Sequence, residues 1–330
     1  MRPSGSEPGV SALGGGPSRL AKRGLCVRVD QAERSGAWRR QGTLVAVACV
    51  GIFLAGLLFS GCAGPSQSGS SNRTPEFVGI TELPTHESHP GKFVWHDLLT
   101  PDVAKVKPFY TGLFGWSFQT DGDYTVIRSQ GRRIGGIVEI KETSEAQPEA
   151  VWLAWLSVPD VDQAVQYVRT HGGSVHTGPV NMKHRGRGAL VSDPQGAEVV
   201  VLHSRTGDPP DKPAAIGDWL WNELWTNDPQ SVIPFYKALA KYEATIAAEN
   251  YTVLIKEGRW RAGVRHVFKE NFQSRWVPVV RVADPATIVQ QVTRLGGRVW
   301  VRPDDPASNG DTALISDPTG AFLMVQRWTW

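Results

Sequence analysis

The chain has 330 residues, with 35 Lys and Arg against 32 Asp and Glu, and its net charge is +3. Eight of the basic and three of the acidic residues lie in residues 1–61, so the rest of the chain holds 27 basic and 29 acidic side chains. This near-neutral remainder excludes the basic face that nucleic-acid binding needs, and we expect no nucleic-acid partner.

The first 61 residues have the pattern of a targeting signal. A basic stretch is followed by an uncharged apolar run over residues 43–59 and by Ser60-Gly61 just before Cys62. This pattern resembles a bacterial lipoprotein signal peptide, which is cleaved before a cysteine that receives lipid on its sulfur. The resemblance implies lipidation of Cys62 and a lipid anchor in a bacterial membrane. An uncleaved helical anchor is the alternative, because a 17-residue run nearly spans a bilayer. The basic residues before the run place the following chain on the periplasmic or exterior side in either case.

Two stretches rich in Ser, Gly and Pro divide the rest of the chain. Residues 62–90 lack a periodic apolar pattern and are predicted to form a flexible tether, and residues 204–216 predict an interdomain linker. Domain 1 then covers residues 91–203 and domain 2 covers residues 217–330. The three cysteines all occur at or before Cys62, so neither domain has a thiol for a disulfide, a nucleophile or a metal site.

The two domains are internal repeats. The segment Trp95–Asp102 (WHDLLTPD) returns 126 residues later as Trp221–Asp228 (WNELWTND). The register continues through a Pro-Phe-Tyr triplet and a closing Ser-Asp-Pro-x-Gly-Ala motif, which are found at residues 108–110 and 234–236, and at 192–197 and 316–321. The repeat predicts two similar units in tandem.

Each domain divides into two modules with one order of elements: a strand, a helix, then two or three strands. The apolar residues that follow Asp102 have helical spacing, which predicts a helix, and the residues that precede it predict a strand. The elements predicted for the first module are residues 93–100, 102–114, 124–128 and 134–140. The second module begins at Val151, and residues 218–328 repeat both modules.

This βαβββ order identifies a family. The Phe109–Trp116 segment (FYTGLFGW) and the closing Asp-Pro-x-Gly-Ala turns resemble the vicinal oxygen chelate superfamily of glyoxalases, bleomycin resistance proteins and extradiol dioxygenases. The start of each repeat resembles the tandem-domain, glyoxalase-like members. The resemblance implies an α+β fold in which four βαβββ modules pair into two domains. It leaves the function open, because the superfamily contains both metalloenzymes and metal-free binders.

The resemblance also implies where a metal would be held. Metalloenzymes of this superfamily bind a divalent ion through His and Glu on the concave face of the sheet. The corresponding positions here are Trp95, Leu153 and Val200 in domain 1, and Trp221, Val277 and Met324 in domain 2. None of these side chains can ligate a divalent metal. A fourth position near Ile137 and near Val264 could not hold an ion alone. We therefore predict no metal and no other cofactor.

The concave faces supply the candidate ligand-binding residues. Strand alternation predicts Trp95, Asp97 and Trp155 in the first cup, and Trp221, Glu223 and Trp225 in the second. Each carboxylate could act as a base, bind a cationic or hydroxylated ligand, or simply accept hydrogen bonds from its neighbours. The many tryptophans predict either core packing or a stacking surface for a planar molecule.

Two further features have alternative interpretations. His96 alternates to the helix-facing side, which predicts packing rather than ligation. The loop before the last strands is basic in domain 1, at residues 183–187, and acidic in domain 2, at residues 304–311. Such charge runs are typical of solvated loops. Otherwise the basic loop guards a pocket for an anionic ligand, or the loops meet across a domain or homodimer contact.

Together these observations favour a metal-free protein that binds a small molecule, for which the cups suggest an aromatic compound, at the cell envelope. The first alternative is an enzyme, either a metal-dependent lyase or dioxygenase or a metal-free isomerase that uses Asp97 or Glu223 as base. The second alternative is a structural envelope protein that binds other proteins.

Overall fold

The computed structural model describes residues 76–140, 149–306, 308 and 310–329. The predicted signal peptide, Cys62 and the first half of the predicted tether lie outside these residues. Within the part described, no helix combines the length and apolar character needed to cross a membrane.

Domain 1 consists of two βαβββ modules. The first module contains β1 (Phe93–Thr100), α1 (Val103–Phe114), β2 (Ser117–Asp121), β3 (Tyr124–Ser129) and β4 (Arg132–Glu139). The second module contains β5 (Val151–Ser157), α2 (Val161–Thr170), β6 (Ser174–Met182), β7 (Gly186–Ser192) and β8 (Glu198–Ser204).

Domain 2 repeats this order. Its first module contains β9 (Trp219–Thr226), α3 (Pro229–Ala240), β10 (Glu243–Ala248), β11 (Tyr251–Lys256) and β12 (Arg259–His266). Its second module contains β13 (Arg275–Val282), α4 (Pro285–Val292), β14 (Arg298–Val301), β15 (Thr312–Ser316) and β16 (Phe322–Arg327).

In each domain the two modules form one 8-stranded sheet, in the orders β2-β3-β4-β1-β5-β8-β7-β6 and β10-β11-β12-β9-β13-β16-β15-β14. The modules join where their first strands pair antiparallel, β1 with β5 and β9 with β13. The predicted α+β fold, with four modules paired into two domains, is therefore confirmed.

Each helix begins directly after an aspartate that caps it. The Asp102 carboxylate accepts a hydrogen bond from the Lys105 amide at 3.0 Å, which satisfies a backbone donor that has no partner inside the helix. The other caps follow the same pattern and are Asp160, Asp228 and Asp284. Helix α1 ends at Gly115, whose φ of 67° lies in the left-handed region that favours glycine.

The helices of both domains form one layer between the two sheets. Val106 and Phe109 of α1 belong to the same apolar cluster as Ile288 and Val289 of α4. A second cluster joins α2 to α3 and β9 in the same way. The helix-facing sides of the two sheets therefore face each other, and the opposite sides, which form the cups, point away from each other.

A pseudo-twofold axis relates the domains, and residues from equivalent positions of the repeat meet across it. His96 Nε2 lies 3.1 Å from the Oδ1 atom of Asn222, its counterpart in the repeat. The Tyr110 hydroxyl donates to Asp317 at 3.0 Å, and Tyr236 faces Asp193 at the equivalent place in the repeat. Burial at this joint raises the pKa of the Asp193 carboxyl to about 6. The Phe-Tyr and Asp-Pro-x-Gly motifs therefore hold the domains together.

Candidate functional site

Each sheet has a cup on the face opposite the helix layer. On β1, Trp95 and Asp97 point into the first cup while His96 points to the helices, as strand alternation requires. Trp155 lies beside Trp95 in the ladder between β1 and β5. The structure thus groups the six predicted ligand-binding residues as expected, with Trp95, Asp97 and Trp155 in cup 1 and Trp221, Glu223 and Trp225 in cup 2.

The side chains in the cups do not fit a divalent metal. All six predicted ligand positions belong to the apolar clusters of the cups: Trp95, Leu153 and Val200, and Trp221, Val277 and Met324. The fourth position is predicted near Ile137 and near Val264, and these two residues themselves pack in the helix layer. Their cup-facing neighbours include Gly136 and Arg265. In the described ranges, no group of three or more His, Cys, Asp or Glu could hold a metal ion.

Asp97 is buried in a network of donors in cup 1. Its Oδ1 accepts hydrogen bonds from the Trp95 indole at 2.8 Å and from the Tyr124 hydroxyl at 2.5 Å. Arg185 Nη1 lies 3.6 Å from Asp97 Oδ2, and Arg185 Nη2 donates to the Tyr124 oxygen at 2.9 Å. Desolvation and the neighbouring carboxylate raise the pKa of Tyr124. Its hydroxyl therefore stays protonated and donates a hydrogen bond to the carboxylate.

Glu223 has the corresponding place in cup 2, and its hydrogen-bonding capacity is filled. Arg265 donates to both carboxylate oxygens, from Nε at 2.8 Å and from Nη2 at 2.9 Å. The Tyr251 hydroxyl donates at 3.0 Å and the Trp225 indole at 3.1 Å. A carboxylate accepts about four hydrogen bonds, so none of its lone pairs is left for a substrate proton. This geometry favours the structural alternative over a role as base for Glu223, whereas Asp97 accepts both of its hydrogen bonds at Oδ1.

A glycine in each cup makes room for the tyrosine. A Cβ atom at Gly136 would overlap the Tyr124 hydroxyl, and one at Gly263 would overlap the Tyr251 hydroxyl. Both glycines lie directly beside the strand that carries the carboxylate, Gly136 opposite Asp97 and Gly263 opposite Glu223. The same Tyr, Gly and carboxylate positions therefore build the network in both repeats.

The arginines are the functional groups that the sequence analysis missed. Arg185 belongs to the basic loop, whose composition favours a solvated loop and otherwise a pocket for an anion, yet its side chain is 0% exposed and lies inside cup 1. Its guanidinium is 4.6 Å from the Trp95 ring and 4.8 Å from the Trp155 ring, at distances typical of cation–π contacts. Arg265 fills cup 2 from β12. The tyrosines were the detectable signal, since Tyr124 and Tyr251 recur at equivalent positions of the repeat.

Among the described residues, the other charged side chains of the two loops are exposed or partly exposed. Lys183 and His184 are exposed and both contact Glu76, at 2.9 and 3.0 Å. In the acidic loop, Asp311 pairs with Arg327 at 2.6 Å at a partly exposed position. His96 is fully buried beside Asn222, and burial lowers the pKa of its imidazole to about 3.

Cup 2 has a partly exposed aromatic mouth. The Trp221 ring centroid lies 4.8 Å from that of Trp328 and 5.8 Å from that of Trp260. Trp260 and Trp328 are partly exposed, whereas Trp221 is 7% exposed and forms the floor. The buried Trp221 Nε1 has no hydrogen-bond acceptor among the described residues. The mouth therefore offers ring surface above a buried indole donor that has no acceptor among the described residues.

A separate crevice of about 100 Å³ lies at the joint between the domains. Trp152 and Trp276, which are equivalent in the repeat, line it together with Glu198. Burial raises the pKa of the Glu198 carboxyl to about 7. None of the six predicted ligand-binding residues lines this crevice, although Leu153 and Val277 of the cup clusters do.

Comparison with known proteins agrees with this geometry. Residues 92–201 match the model of the Glyoxalase/Bleomycin resistance protein/Dioxygenase superfamily. The chain is 29% identical over 243 residues to CFP32 of Mycobacterium tuberculosis, which is named as a glyoxylase; the match covers 71% of this chain and 93% of the relative. It is 28% identical over 259 residues to the anthracycline biosynthesis protein DnrV of Streptomyces peucetius, covering 72% and 93% of the two chains.

Two solved structures share the fold. The Mn(II)-bound glyoxalase from Novosphingobium aromaticivorans superposes with a TM-score of 0.55 at 12% identity, over 73% of this chain and 83% of that one. Homoprotocatechuate 2,3-dioxygenase from Brevibacterium fuscum gives a TM-score of 0.53 at 14% identity, over 75% and 74%. At these identities the likeness extends to the fold alone.

Proposed function

We propose that the protein binds a small molecule without a metal ion. Residues 92–201 match the model of the Glyoxalase/Bleomycin resistance protein/Dioxygenase superfamily, and domain 2 repeats their fold. One observation carries this proposal. The six cup positions at which the family pattern would hold a metal are apolar or aromatic, and each of the two buried carboxylates has an arginine beside it. The geometry therefore supports binding better than it supports metal-dependent turnover or base catalysis.

The ligand class follows from the surfaces of the cups. Aromatic rings bind planar molecules by stacking and edge contacts, and the mouth of cup 2 presents Trp260 and Trp328 partly to solvent. The Trp221 indole adds a donor for a carbonyl or phenol oxygen. The relative named for anthracycline biosynthesis supports a polycyclic aromatic ligand. We propose a planar aromatic compound that carries oxygen acceptors.

The test combines metal content with ligand binding. Purified protein should hold no stoichiometric Zn, Ni, Mn or Fe, and a chelator should leave its melting temperature unchanged, because a structural metal would add folding free energy. The probe 1,4-dihydroxyanthraquinone should quench tryptophan fluorescence. Trp221→Ala should weaken its binding by about 1–3 kcal/mol through lost ring contact and buried area.

Trp300→Phe is the control, because Trp300 packs at the edge of the same apolar cluster but its ring contact is with Phe322 rather than with Trp221. It should leave binding unchanged. About one equivalent of metal per domain would overturn the metal-free proposal and favour a lyase or dioxygenase. Equal weakening by both variants would remove the support for a site at Trp221.

We also propose that the protein is anchored to the cell envelope by lipid on Cys62, which lies outside the described residues. The small-small-Cys pattern after an apolar run supports this proposal. Cys62→Ser should block lipidation and leave the precursor unprocessed, which labelled fatty acid and electrophoretic size detect in a bacterial host. Processing of the Ser variant to the size of the wild type would contradict the proposal and leave the helical anchor or another signal.

A further inference from the structure

Residues 76–80, in the middle of the predicted tether, cover cup 1. Phe77 and Ile80 are 8% and 1% exposed and belong to the apolar cluster of this cup. The Phe77 ring centroid lies 5.5 Å from that of Tyr124 and 5.8 Å from that of Trp155, both in edge-to-face arrangements. The cup therefore already holds one aromatic ring, which the chain itself supplies.

Arg185 contacts both the ring and the backbone of this segment. Its Nε donates to the Val78 carbonyl oxygen at 2.6 Å, and its guanidinium lies 5.2 Å from the centroid of the Phe77 ring. The bound unit is thus an aromatic ring with an oxygen acceptor nearby. These contacts show which chemistry the cup accommodates.

The segment lies on the sheet without pairing to it. Among the described residues, no backbone-to-backbone hydrogen bond involves residues 76–80. Besides Arg185, the Arg133 side chain donates to the Gly79 carbonyl at 3.3 Å. Glu76 contributes only exposed ion pairs, which are weak in water. The segment can therefore leave as a local opening while the sheet stays intact.

The segment leaves buried donors of the cup without an acceptor, among them Arg185 Nη1 and the Trp155 indole. Trp155 is 2% exposed, and its Nε1 has no acceptor among the described residues. A buried N–H without an acceptor is unfavourable, so a molecule that offers an oxygen there gains a hydrogen bond that the segment does not make. This difference gives a ligand an advantage over the segment.

We propose that cup 1 is a ligand site that opens when residues 76–80 are displaced, and that its ligand is a planar aromatic compound with two oxygen acceptors. The ring takes the place of Phe77, one oxygen accepts from Arg185 in place of Val78, and the second accepts from Trp155. This inference rests on the small-molecule-binding function proposed above and assigns that function a ligand class and a gate.

The first experiment follows the segment in the wild-type protein. The probe is 2-naphthoate, a planar aromatic with two oxygens, and naphthalene is the control without oxygens. Chymotrypsin cleaves after an accessible Phe77, so cleavage there reports the open state. We expect 2-naphthoate to accelerate cleavage after Phe77 severalfold, measured by mass spectrometry of the fragments, and naphthalene to leave the rate unchanged.

The second experiment weakens the cover. Phe77→Ala should bind 2-naphthoate about tenfold more tightly than the wild type, because the apparent affinity rises with the fraction of open cup. Adding Trp155→Phe should reverse part of this gain, since it keeps a ring and removes the donor. Phe272→Ala is the matched control, because it removes the same ring from the apolar cluster of cup 2, and it should not raise the affinity.

The outcomes separate the two proposals. Binding of 2-naphthoate to the wild type with unchanged cleavage after Phe77 would overturn the gate and leave the small-molecule function standing. Equal affinity of Phe77→Ala for naphthalene and 2-naphthoate would show a bare cavity and overturn the ligand class. Absence of binding to Phe77→Ala would overturn the site in cup 1, and absence of dihydroxyanthraquinone binding as well would overturn the function.

Discussion

Arg265→Met is expected to lower the free energy of unfolding by about 3–5 kcal/mol, because it leaves the Glu223 carboxylate buried without its charge partner. Both side chains are 1% exposed, and their two hydrogen bonds are 2.8 and 2.9 Å long. Tyr251 and Trp225 would still donate to the carboxylate, but neither carries a positive charge. Denaturant unfolding of wild type and variant at neutral pH measures the difference.

Two variants make this result specific to the buried pair. Glu223→Leu combined with Arg265→Met replaces both charges by apolar groups and should recover most of the lost stability. Arg327→Met removes an arginine from a partly exposed pair with Asp311, and it should cost less than about 1 kcal/mol. A loss as small as this for Arg265→Met would show that Glu223 is not held as a buried charged group.

The fold could be predicted because its signals are local constraints on the backbone. Asp102 and Asp228 mark helix starts in both repeats, since a carboxylate satisfies the free amides of the first turn. Strand alternation fixed the face of each residue on β1, and with it the contents of the cups. Strand β2 carried no alternating pattern of its own, because it lies at the edge of its sheet and is largely exposed.

The polar groups of the cups could be predicted only in part. Asp97 and Glu223 follow from alternation within one strand. Arg185 reaches the cup from a turn between β6 and β7, and its neighbours Lys183 and His184 are exposed, so the local pattern resembled a solvated loop. Long side chains from distant segments are set by tertiary packing, which leaves no period in the sequence.

The burial of residues 76–80 could not be predicted from the sequence either. Residues 76–80 lie within a longer stretch whose composition is typical of a linker, and their buried apolar side chains are Phe77 and Ile80. Two apolar residues in a short segment give no periodic signal. In contrast, the motifs that recur most clearly, those around Tyr110 and Asp317, act at the interdomain joint. A pseudo-twofold joint requires each contact twice, and this requirement explains why these residues appear in both repeats.

His96→Gln is expected to remove a pH-dependent part of the stability of that joint. Burial lowers the pKa of His96 from 6.5 to about 3, so the folded protein keeps the imidazole neutral while the unfolded chain takes up a proton. The stabilisation from the depressed pKa is therefore present above pH 6.5 and is lost as the pH falls toward 3. Between pH 7 and pH 5 the wild type should lose about 2 kcal/mol more stability than His96→Gln.

The comparison between wild type and His96→Gln separates the effect of His96 from that of groups whose titration changes the stability in the opposite direction. Burial raises the pKa of Glu198 to about 7, so this carboxyl stabilises the fold as the pH falls, and it does so equally in wild type and variant. The Gln side chain keeps an amide that can reach Asn222. Gln does not titrate, so the stability lost with the ring contact to Trp219 is the same at both pH values. Denaturant unfolding at the two pH values gives four free energies and one difference of differences. A value near zero would mean that His96 binds its proton in the folded joint, and the neutral imidazole at the pseudo-twofold axis would have to be abandoned.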